Sequence, residues 1–285
     1  MNAQVTVPLP EGIALDKLQK QATTRSLETL FNILKYHVRN PPPEHHGELI
    51  TEEKKRKEIE RCARYSFSYN ATANNRRRRL FFGSLIADDS WHVIGMHAVE
   101  TYGLYHTVAL IESNTTTTMS ERETKFQVGS ANYDALVQSG IFGADTQVVI
   151  DLYVDHEGDQ GRLSPMEKEH QQRETILKVW RQNGMTAKDV GIVSDVDEVF
   201  TRDFLLAVQT CDVPQFRPGQ SCELPKILGS TLVFETSPKC ITEGRRWFHP
   251  DLIIGECIDT IGDPELHRPA KRKDVNGREG FILDK

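Results

Sequence analysis

The sequence lacks the features that mark membrane-embedded, zinc-binding and strongly nucleic-acid-binding proteins. No apolar stretch approaches the ~20 residues of a transmembrane helix, and the first 17 residues lack the basic-then-apolar pattern of a secretory signal. Five cysteines are present but none forms a Cys-x-x-Cys pair, which argues against a zinc site. The net charge is -6, so we expect no nucleic-acid partner.

The sequence leaves open whether the cysteines form disulfides and what the two short basic runs do. Four of the five cysteines, Cys211, Cys222, Cys240 and Cys257, lie after residue 210, and Cys62 lies far before them. This distribution fits disulfides in an oxidising lumen as well as free buried thiols. Two short basic runs occupy residues 54–57 and 76–79. Short runs of this kind are typical of solvated faces or linkers, and the second could also be a proteolytic or localisation signal.

The composition and hydrophobic pattern of the sequence change near residue 78, which predicts two regions. Apolar residues before Pro41-Pro42-Pro43 recur at helical spacing, and a charged helix is predicted from about Thr51 to Arg64 before a polar linker. We therefore predict a helical N-terminal appendage with its linker over residues 1–78. A larger domain is predicted over residues 79–285.

Residues 79–285 alternate short apolar runs with amphipathic helices. Ser164-Pro165-Met166-Glu167 is a capping box that opens a helix ending at Gly184, and Thr201 begins another helix. Strands alternating with helices predict an α/β fold whose mostly parallel sheet is covered by helices on both faces. The predicted strands are residues 80–86, 107–111, 147–153 and 190–194, and two further helices are predicted over 91–102 and 131–139.

Polar residues follow two of these strands, where an α/β sheet places its ligands. Glu112-Ser113-Asn114 follows one strand, and Asp195-Val196-Asp197-Glu198 follows another. Carboxylates two residues apart suit a hard divalent cation whose remaining ligands are phosphate oxygens and water. An acidic turn at the start of a helix would look similar, because Asp and Glu are favoured near helix N-termini.

The helix opened by Ser164 carries an arginine on its predicted inner face. The inward stripe consists of Met166, His170, Arg173, Leu177 and Trp180, and the polar residues predicted to lie mostly off it are Lys168, Gln172, Lys178 and Arg181. A buried guanidinium requires an anionic partner. That partner could be a structural carboxylate or a ligand phosphate, and the spacing does not choose between them.

Three sequence blocks together resemble glycosyltransferase family 17, which contains the β-1,4-mannosyl-glycoprotein N-acetylglucosaminyltransferases. The blocks are Leu-Ile-Glu-Ser-Asn-Thr at 110–115, His-Gln-Gln-Arg-Glu-Thr-Ile at 170–176 and Ile-Val-Ser-Asp-Val-Asp-Glu at 192–198. The resemblance implies a GT-A-type, Rossmann-like fold. It also implies inverting transfer of N-acetylglucosamine from a UDP-sugar donor to a glycan or glycoprotein acceptor, such as the β-mannose of an N-glycan.

The resemblance also implies roles for individual residues. Asp195 and Asp197 would hold Mn²⁺ or Mg²⁺, and Glu112, Asn114, Arg173 and Asp195 would contact the donor nucleotide. Glu198 and Asp195 are the expected catalytic residues, with Glu243, Asp251 and Glu256 as further possible bases. The implied compartment is the Golgi lumen, with membrane attachment only through an anchor that is not visible in this chain.

Other interpretations of the same residues remain. Asp195-Val196-Asp197-Glu198-Val199 also fits the signature of haloacid-dehalogenase-type phosphatases, in which Asp195 would be the nucleophile. An inactive module that only binds glycans is a third possibility. For the glycosyltransferase, we further expect residues 240–263 to pack beside the acidic turn at 195–198, because Trp247 beside carboxylates suits contact with a sugar ring and His249 could complete the metal shell.

Overall fold

The computed structural model describes residues 52–69, 77–87, 89, 91–116, 118, 120–154, 164–216, 226–234, 241–247, 249–259 and 281–284. This part contains five α-helices: α1 Glu52–Arg64, α2 Trp91–Thr101, α3 Ala131–Val137, α4 Pro165–Gln182 and α5 Arg202–Thr210. Its eight strands are β1 Leu80–Ile86, β2 Tyr105–Ser113, β3 Gln147–Tyr153, β4 Val190–Val193, β5 Lys226–Phe234, β6 Ile241–Trp247, β7 Asp251–Ile254 and β8 Phe281–Asp284. None of the described helices is long and apolar enough to cross a membrane.

The strands form one mixed sheet in the order β3-β2-β1-β4-β7-β5-β6, with β8 paired to β5. The first four strands are parallel to one another, as predicted. β7 runs antiparallel to both β4 and β5, and β6 runs antiparallel to β5. The predicted α/β class is thus confirmed, although the half of the sheet beyond β4 is mainly antiparallel.

Helices cover both faces of the parallel half. Phe82 of β1 points to α2, where its ring centroid lies 4.4 Å from that of His97. The next residue, Gly83, faces α4, and a Cβ atom there would lie 2.1 Å from Ile176 Cγ2. Glycine therefore allows α4 to approach β1 closely, and the Trp180 indole N–H donates to the Phe82 carbonyl at 3.1 Å.

The buried face of α4 is wider than the predicted stripe. Arg173, Leu177 and Trp180 are buried as expected, and the capping box at Ser164 is present. Lys168 and Gln172 were predicted to lie mostly off the inner face but are buried, whereas Met166 is 58% exposed. The prediction was wrong at these positions because the first turns of α4 pack against the loop after β2, where Lys168 Nζ donates to Thr115 Oγ1 at 3.2 Å.

Helix α1 is attached to the sheet region by covalent and ionic contacts. A disulfide joins Cys62 to Cys211, directly after α5, and Cys257 is also disulfide-bonded. Arg61 and Arg64 both donate to the Asp203 carboxylate of α5, at 2.9 and 2.7 Å. The boundary between residues 78 and 79 stays a prediction, and any division there would cut these contacts. Residues 1–51, including the first predicted helix, lie outside the described residues.

Two arginines of the second basic run make hydrogen bonds to distant parts of the fold. Arg78 donates to the carbonyl oxygens of Val208 and Cys211, at 2.9 and 2.6 Å. Arg79 makes two bonds to the Asp189 carboxylate, at 3.0 and 2.6 Å. Both side chains are therefore held by acceptors elsewhere in the chain and do not belong to an unattached linker, although the Arg79 side chain remains 37% exposed.

Candidate active site

A cleft of about 250 Å³ opens at the carboxyl ends of β1, β2 and β4. Because α4 connects the carboxyl end of β3 to the amino end of β4, its first half lies over this edge of the sheet. The cleft is therefore built from three strand ends and one helix, where the alternation of strands and helices predicted a ligand site. Its lining residues are Leu85, Ile86, Ala87, Ile111, Thr115, Thr116, Arg122, Glu169, Gln172, Arg173 and Asp195.

Arg173 connects the helical wall of the cleft to the acidic turn. Its Nη2 atom donates to Asp195 Oδ1 at 2.6 Å and lies 2.9 Å from Glu169 Oε1. The arginine side chain is 9% exposed and the Asp195 side chain 54% exposed. The inward direction predicted for Arg173 is confirmed, the Asp195 carboxylate is an anionic partner, and the pair presents both a positive and a negative group to the cleft.

Several buried polar atoms around the cleft have no hydrogen-bond partner among the described residues. They are Arg173 Nε, Gln172 Nε2 and Asn114 Oδ1. Gln172 is 5% exposed, and Asn114 directly precedes Thr115 in the cleft wall. A buried polar atom without a partner destabilises a folded protein by roughly 1–3 kcal/mol. Such a group of atoms is typical of a site that a polar ligand completes.

The acidic turn presents two carboxylates outward. Asp195 and Asp197 are exposed, whereas Val196 between them is 5% exposed and belongs to the hydrophobic core. Residues 195–198 form a turn in which the Glu198 amide donates to the Asp195 carbonyl oxygen at 3.1 Å, and this turn directs Val196 inward and both carboxylates outward. Asp197 makes no hydrogen bond or ion pair with the residues that the structure describes. Its oxygens are therefore available to a ligand.

The Glu198 carboxylate makes hydrogen bonds within the acidic turn and with Trp247. Its Oε2 atom accepts from Ser194 Oγ at 2.7 Å and from the Asp195 amide at 3.2 Å. Its Oε1 atom accepts from the Trp247 indole N–H. The predicted position of this aromatic residue beside the turn is confirmed. The side chains of 241–246, including Glu243, lie outside the described residues.

His249 and Asp251 form a pair next to this turn. The Nδ1 atom of His249 lies 3.4 Å from Asp251 Oδ1, and its ring centroid lies 5.6 Å from that of Trp247. The hydrogen bond with Asp251 raises the pKa of His249, and the nearby charge of Glu198 acts in the same direction. The pair thus places a readily protonated imidazole beside an exposed indole.

Glu112 faces a loop and not the cleft. It is 1% exposed, and its carboxylate accepts from the amide of Phe126 at 3.1 Å and from Gln127 Nε2 at 2.6 Å. The structure therefore brings Asn114, Arg173, Asp195 and Asp197 to one edge of the sheet and turns Glu112 to the loop beside it. The roles of all of these residues in binding stay predictions.

Comparison with known protein families decides the class of protein. The chain matches the family model of glycosyltransferase family 17 over residues 38–217, which is more than half of its 285 residues. The chain belongs to glycosyltransferase family 17. No curated protein matches it. The family assignment and the predicted enzyme class are confirmed, which sets aside the phosphatase and the inactive glycan-binding module.

The matched range contains the cleft, α4 and the acidic turn of this family 17 chain. Trp247 and His249 follow the matched range, so nothing in the match bears on them. Family membership implies a sugar donor and a glycan acceptor. The implied metal is compatible with the turn, because Asp197 is exposed and unpaired among the described residues.

The described residues contain no group of three or more His, Cys, Asp or Glu side chains that could hold a metal ion. Among the described residues of this family 17 enzyme, Asp195 and Asp197 would supply only part of the ligands of an ion at the turn. Phosphate oxygens and water are the usual remaining ligands of Mg²⁺ in nucleotide sites. The geometry fits an ion that binds together with a nucleotide.

Two residues of this family 17 site were missed in the sequence. His97 lies in α2, and its Nδ1 atom is 2.9 Å from the Val196 carbonyl oxygen of the acidic turn. Burial lowers the pKa of His97 to about 4, so its ring is neutral at neutral pH. Gln172 was predicted to lie mostly off the inner face of its helix, but it is buried in the cleft wall. A histidine on an apolar helix resembles an ordinary core residue, so the sequence carried no signal for its contact.

Proposed function

We propose that the chain is a metal-dependent, inverting N-acetylglucosaminyltransferase with a GT-A-type fold. It would move N-acetylglucosamine from UDP-N-acetylglucosamine to a glycan, such as one that carries the β-mannose of an N-glycan. The observation that carries the proposal is the cleft at the strand ends, which Arg173 and Asp195 line beside the exposed Asp197. The disulfide of Cys62 with Cys211 supports an oxidising compartment such as the Golgi lumen.

The nucleoside is assigned to the cleft over β1 and β2. Among the described residues, Gln172 Nε2 is a donor and Asn114 Oδ1 an acceptor without a partner, and a uracil edge offers both complementary groups. The Glu169 carboxylate lines the same cleft and can accept hydrogen bonds from ribose hydroxyls. A uridine bound there would place its diphosphate toward Arg173 and the acidic turn.

The diphosphate is assigned to Arg173 and the two aspartates. The guanidinium has an unpaired Nε–H beside the Nη2 that binds Asp195, so it can still donate to a phosphate oxygen. Asp197, with Asp195, would hold Mn²⁺ or Mg²⁺ against the phosphates. When bound, the ion would supply positive charge that stabilises the departing nucleotide.

The sugar and the acceptor are assigned to the far side of the acidic turn. The turn follows β4, with the cleft over β1 and β2 on one side and Trp247 of β6 beyond it on the other. A donor held in the cleft would therefore direct its sugar toward Trp247. The indole ring is 42% exposed and can stack on a pyranose ring.

Glu198 is the proposed general base for the acceptor hydroxyl. Its Oε2 atom accepts two hydrogen bonds, whereas its Oε1 atom accepts one among the described residues, from Trp247. A carboxylate oxygen has two lone pairs, so Oε1 retains one for a proton. Ser194 and Trp247 hold the carboxylate in place, which orients that lone pair. Asp195 remains the second predicted catalytic residue, acting through Arg173 and the ion.

The proposal is tested by calorimetric titration of the purified chain with UDP, with and without Mn²⁺. We expect UDP to bind only when the ion is present, and Asp197→Ala to weaken that binding by more than about 100-fold. Asp145→Ala is the matched control, because Asp145 is an exposed carboxylate before β3, at the opposite end of the sheet. Equal UDP affinity without metal and in Asp197→Ala would contradict the proposal. Turnover of UDP-glucose in preference to UDP-N-acetylglucosamine would contradict the donor.

A further inference from the structure

His97 contacts the acidic turn from inside the protein. The residue is 2% exposed, and its Nδ1 atom lies 2.9 Å from the carbonyl oxygen of Val196. A carbonyl oxygen only accepts, so the imidazole donates from Nδ1. Val196 stands between Asp195 and Asp197, and the bond therefore acts on the middle of the segment that presents both carboxylates.

The rest of the His97 ring is fixed by its surroundings. Its Nε2 atom lies 3.4 Å from the Tyr105 hydroxyl, which is placed to donate to it. Its ring centroid lies 4.4 Å from that of Phe82 and 6.2 Å from that of Phe142. A neutral ring that donates from Nδ1 carries its lone pair on Nε2, so these contacts fit the neutral tautomer with the hydrogen on Nδ1.

We propose that His97 is a positioning residue that sets the direction in which the acidic turn presents its two aspartates. The proposal rests on the function proposed above, in which these carboxylates hold the ion and the donor diphosphate. Rotation of the peptide after Val196 changes the backbone angles of Val196 and Asp197 together. A hydrogen bond that fixes the Val196 carbonyl therefore fixes where Asp197 points relative to Asp195.

Two anchors on opposite sides support this role. Outside the core, Glu198 binds Ser194 and the Asp195 amide, which fixes the beginning and the end of the turn. Inside the core, His97 fixes the middle. Phenylalanine would fill a similar space but could not donate to the Val196 carbonyl, so the contribution specific to the imidazole is this hydrogen bond.

The test compares replacements that keep or remove the Nδ1 donor. An asparagine amide nitrogen can occupy the place of Nδ1, whereas a glutamine amide nitrogen reaches the place of Nε2. We expect His97→Asn to retain Mn²⁺-dependent UDP binding within about threefold, and His97→Phe and His97→Gln to weaken it about tenfold, as the loss of one hydrogen bond predicts. His106→Phe is the matched control, because His106 packs on Phe81 at the opposite end of the strands.

A second measurement does not depend on nucleotide. In the metal-free protein, NMR should show His97 as the neutral tautomer protonated at Nδ1, and the amide signals of residues 195–198 should shift in His97→Phe but much less in His97→Asn. Wild-type UDP affinity in His97→Phe, or unmoved amide signals, would overturn the positioning role. Equal losses in the Asn and Phe variants would also overturn it. If wild type binds no UDP while the signals shift as expected, the proposed function fails and the positioning of the turn stands.

Discussion

The two ends of strands β1, β2 and β4 differ in how their polar groups are satisfied. At the amino end, Arg79 binds the Asp189 carboxylate at 2.6 Å and the Gly184 carbonyl at 2.7 Å. Thr186 adds two further donors to Asp189, from its amide and its hydroxyl. At the carboxyl end, Arg173 Nε and Gln172 Nε2 have no partner among the described residues, and Asp197 is exposed.

We infer that the polar groups at the amino end stabilise the fold, whereas those at the carboxyl end are available to a ligand. A buried polar network with all of its partners contributes to the folded state and leaves nothing to bind. A buried polar atom without a partner weakens the fold and gains its partner when a ligand arrives. We therefore expect substitutions at the amino end to change the free energy of unfolding, and those at the carboxyl end to change affinity.

The largest effect is expected at the amino end. Asp189 is 4% exposed and accepts hydrogen bonds from both Arg79 and Thr186. Asp189→Ala should lower the free energy of unfolding by about 3 kcal/mol, because it leaves several donors and a guanidinium without their acceptor. Mn²⁺-dependent UDP affinity should be unchanged at temperatures where the variant is folded. Chemical denaturation measures the free energy of unfolding, and calorimetry measures the UDP affinity. A large loss of UDP affinity would contradict the distinction between the two strand ends.

His97 sharpens the comparison, because it lies near the carboxyl end but has partners on both ring nitrogens. Burial lowers its pKa from the ordinary 6.5 to about 4. Between these values the unfolded chain binds a proton that the folded chain does not. The free energy of unfolding contributed by His97 should therefore be fully present above pH 6.5 and fall as the pH drops, by about 2 kcal/mol at pH 5.

The measurement for this prediction is chemical denaturation of wild type and His97→Phe at pH 7 and pH 5. Other groups titrate in the same range, and the pKa of His249 is raised rather than lowered. The contribution of His97 is therefore the difference in free energy of unfolding between wild type and His97→Phe. If that difference does not change with pH, the neutral buried imidazole is not a feature of the protein in solution.

The smallest effect is expected for Arg173→Lys at the carboxyl end. A lysine ammonium can keep the charge opposite Asp195 but cannot reproduce a two-pronged contact with a carboxylate and a phosphate. UDP affinity with Mn²⁺ should fall about tenfold, or about 1.4 kcal/mol, while the free energy of unfolding changes little. A loss of stability at unchanged affinity would instead identify Arg173 as the structural partner of Asp195 and Glu169.

Local patterns determined the parallel half of the fold. The strand Leu80–Ile86 and the strand Gln147–Tyr153 were predicted with the bounds that the structure has. The capping box at Ser164 and the N-cap at Thr201 were also predicted. These signals succeed because caps and apolar periodicity act over three or four residues. The GT-A assignment, the domain boundary, the metal and the roles of the site residues stay predictions.

The sequence by itself determined the α/β class, the family resemblance and the strand ends that carry the acidic turn. Only the tertiary structure decided that Lys168 and Gln172 are buried, that Cys62 pairs with Cys211 and that His97 binds Val196. The disulfide joins residues 149 positions apart, and the His97 contact spans 99 positions. No local pattern encodes such pairs, because they arise only when the sheet and its helices bring distant segments together.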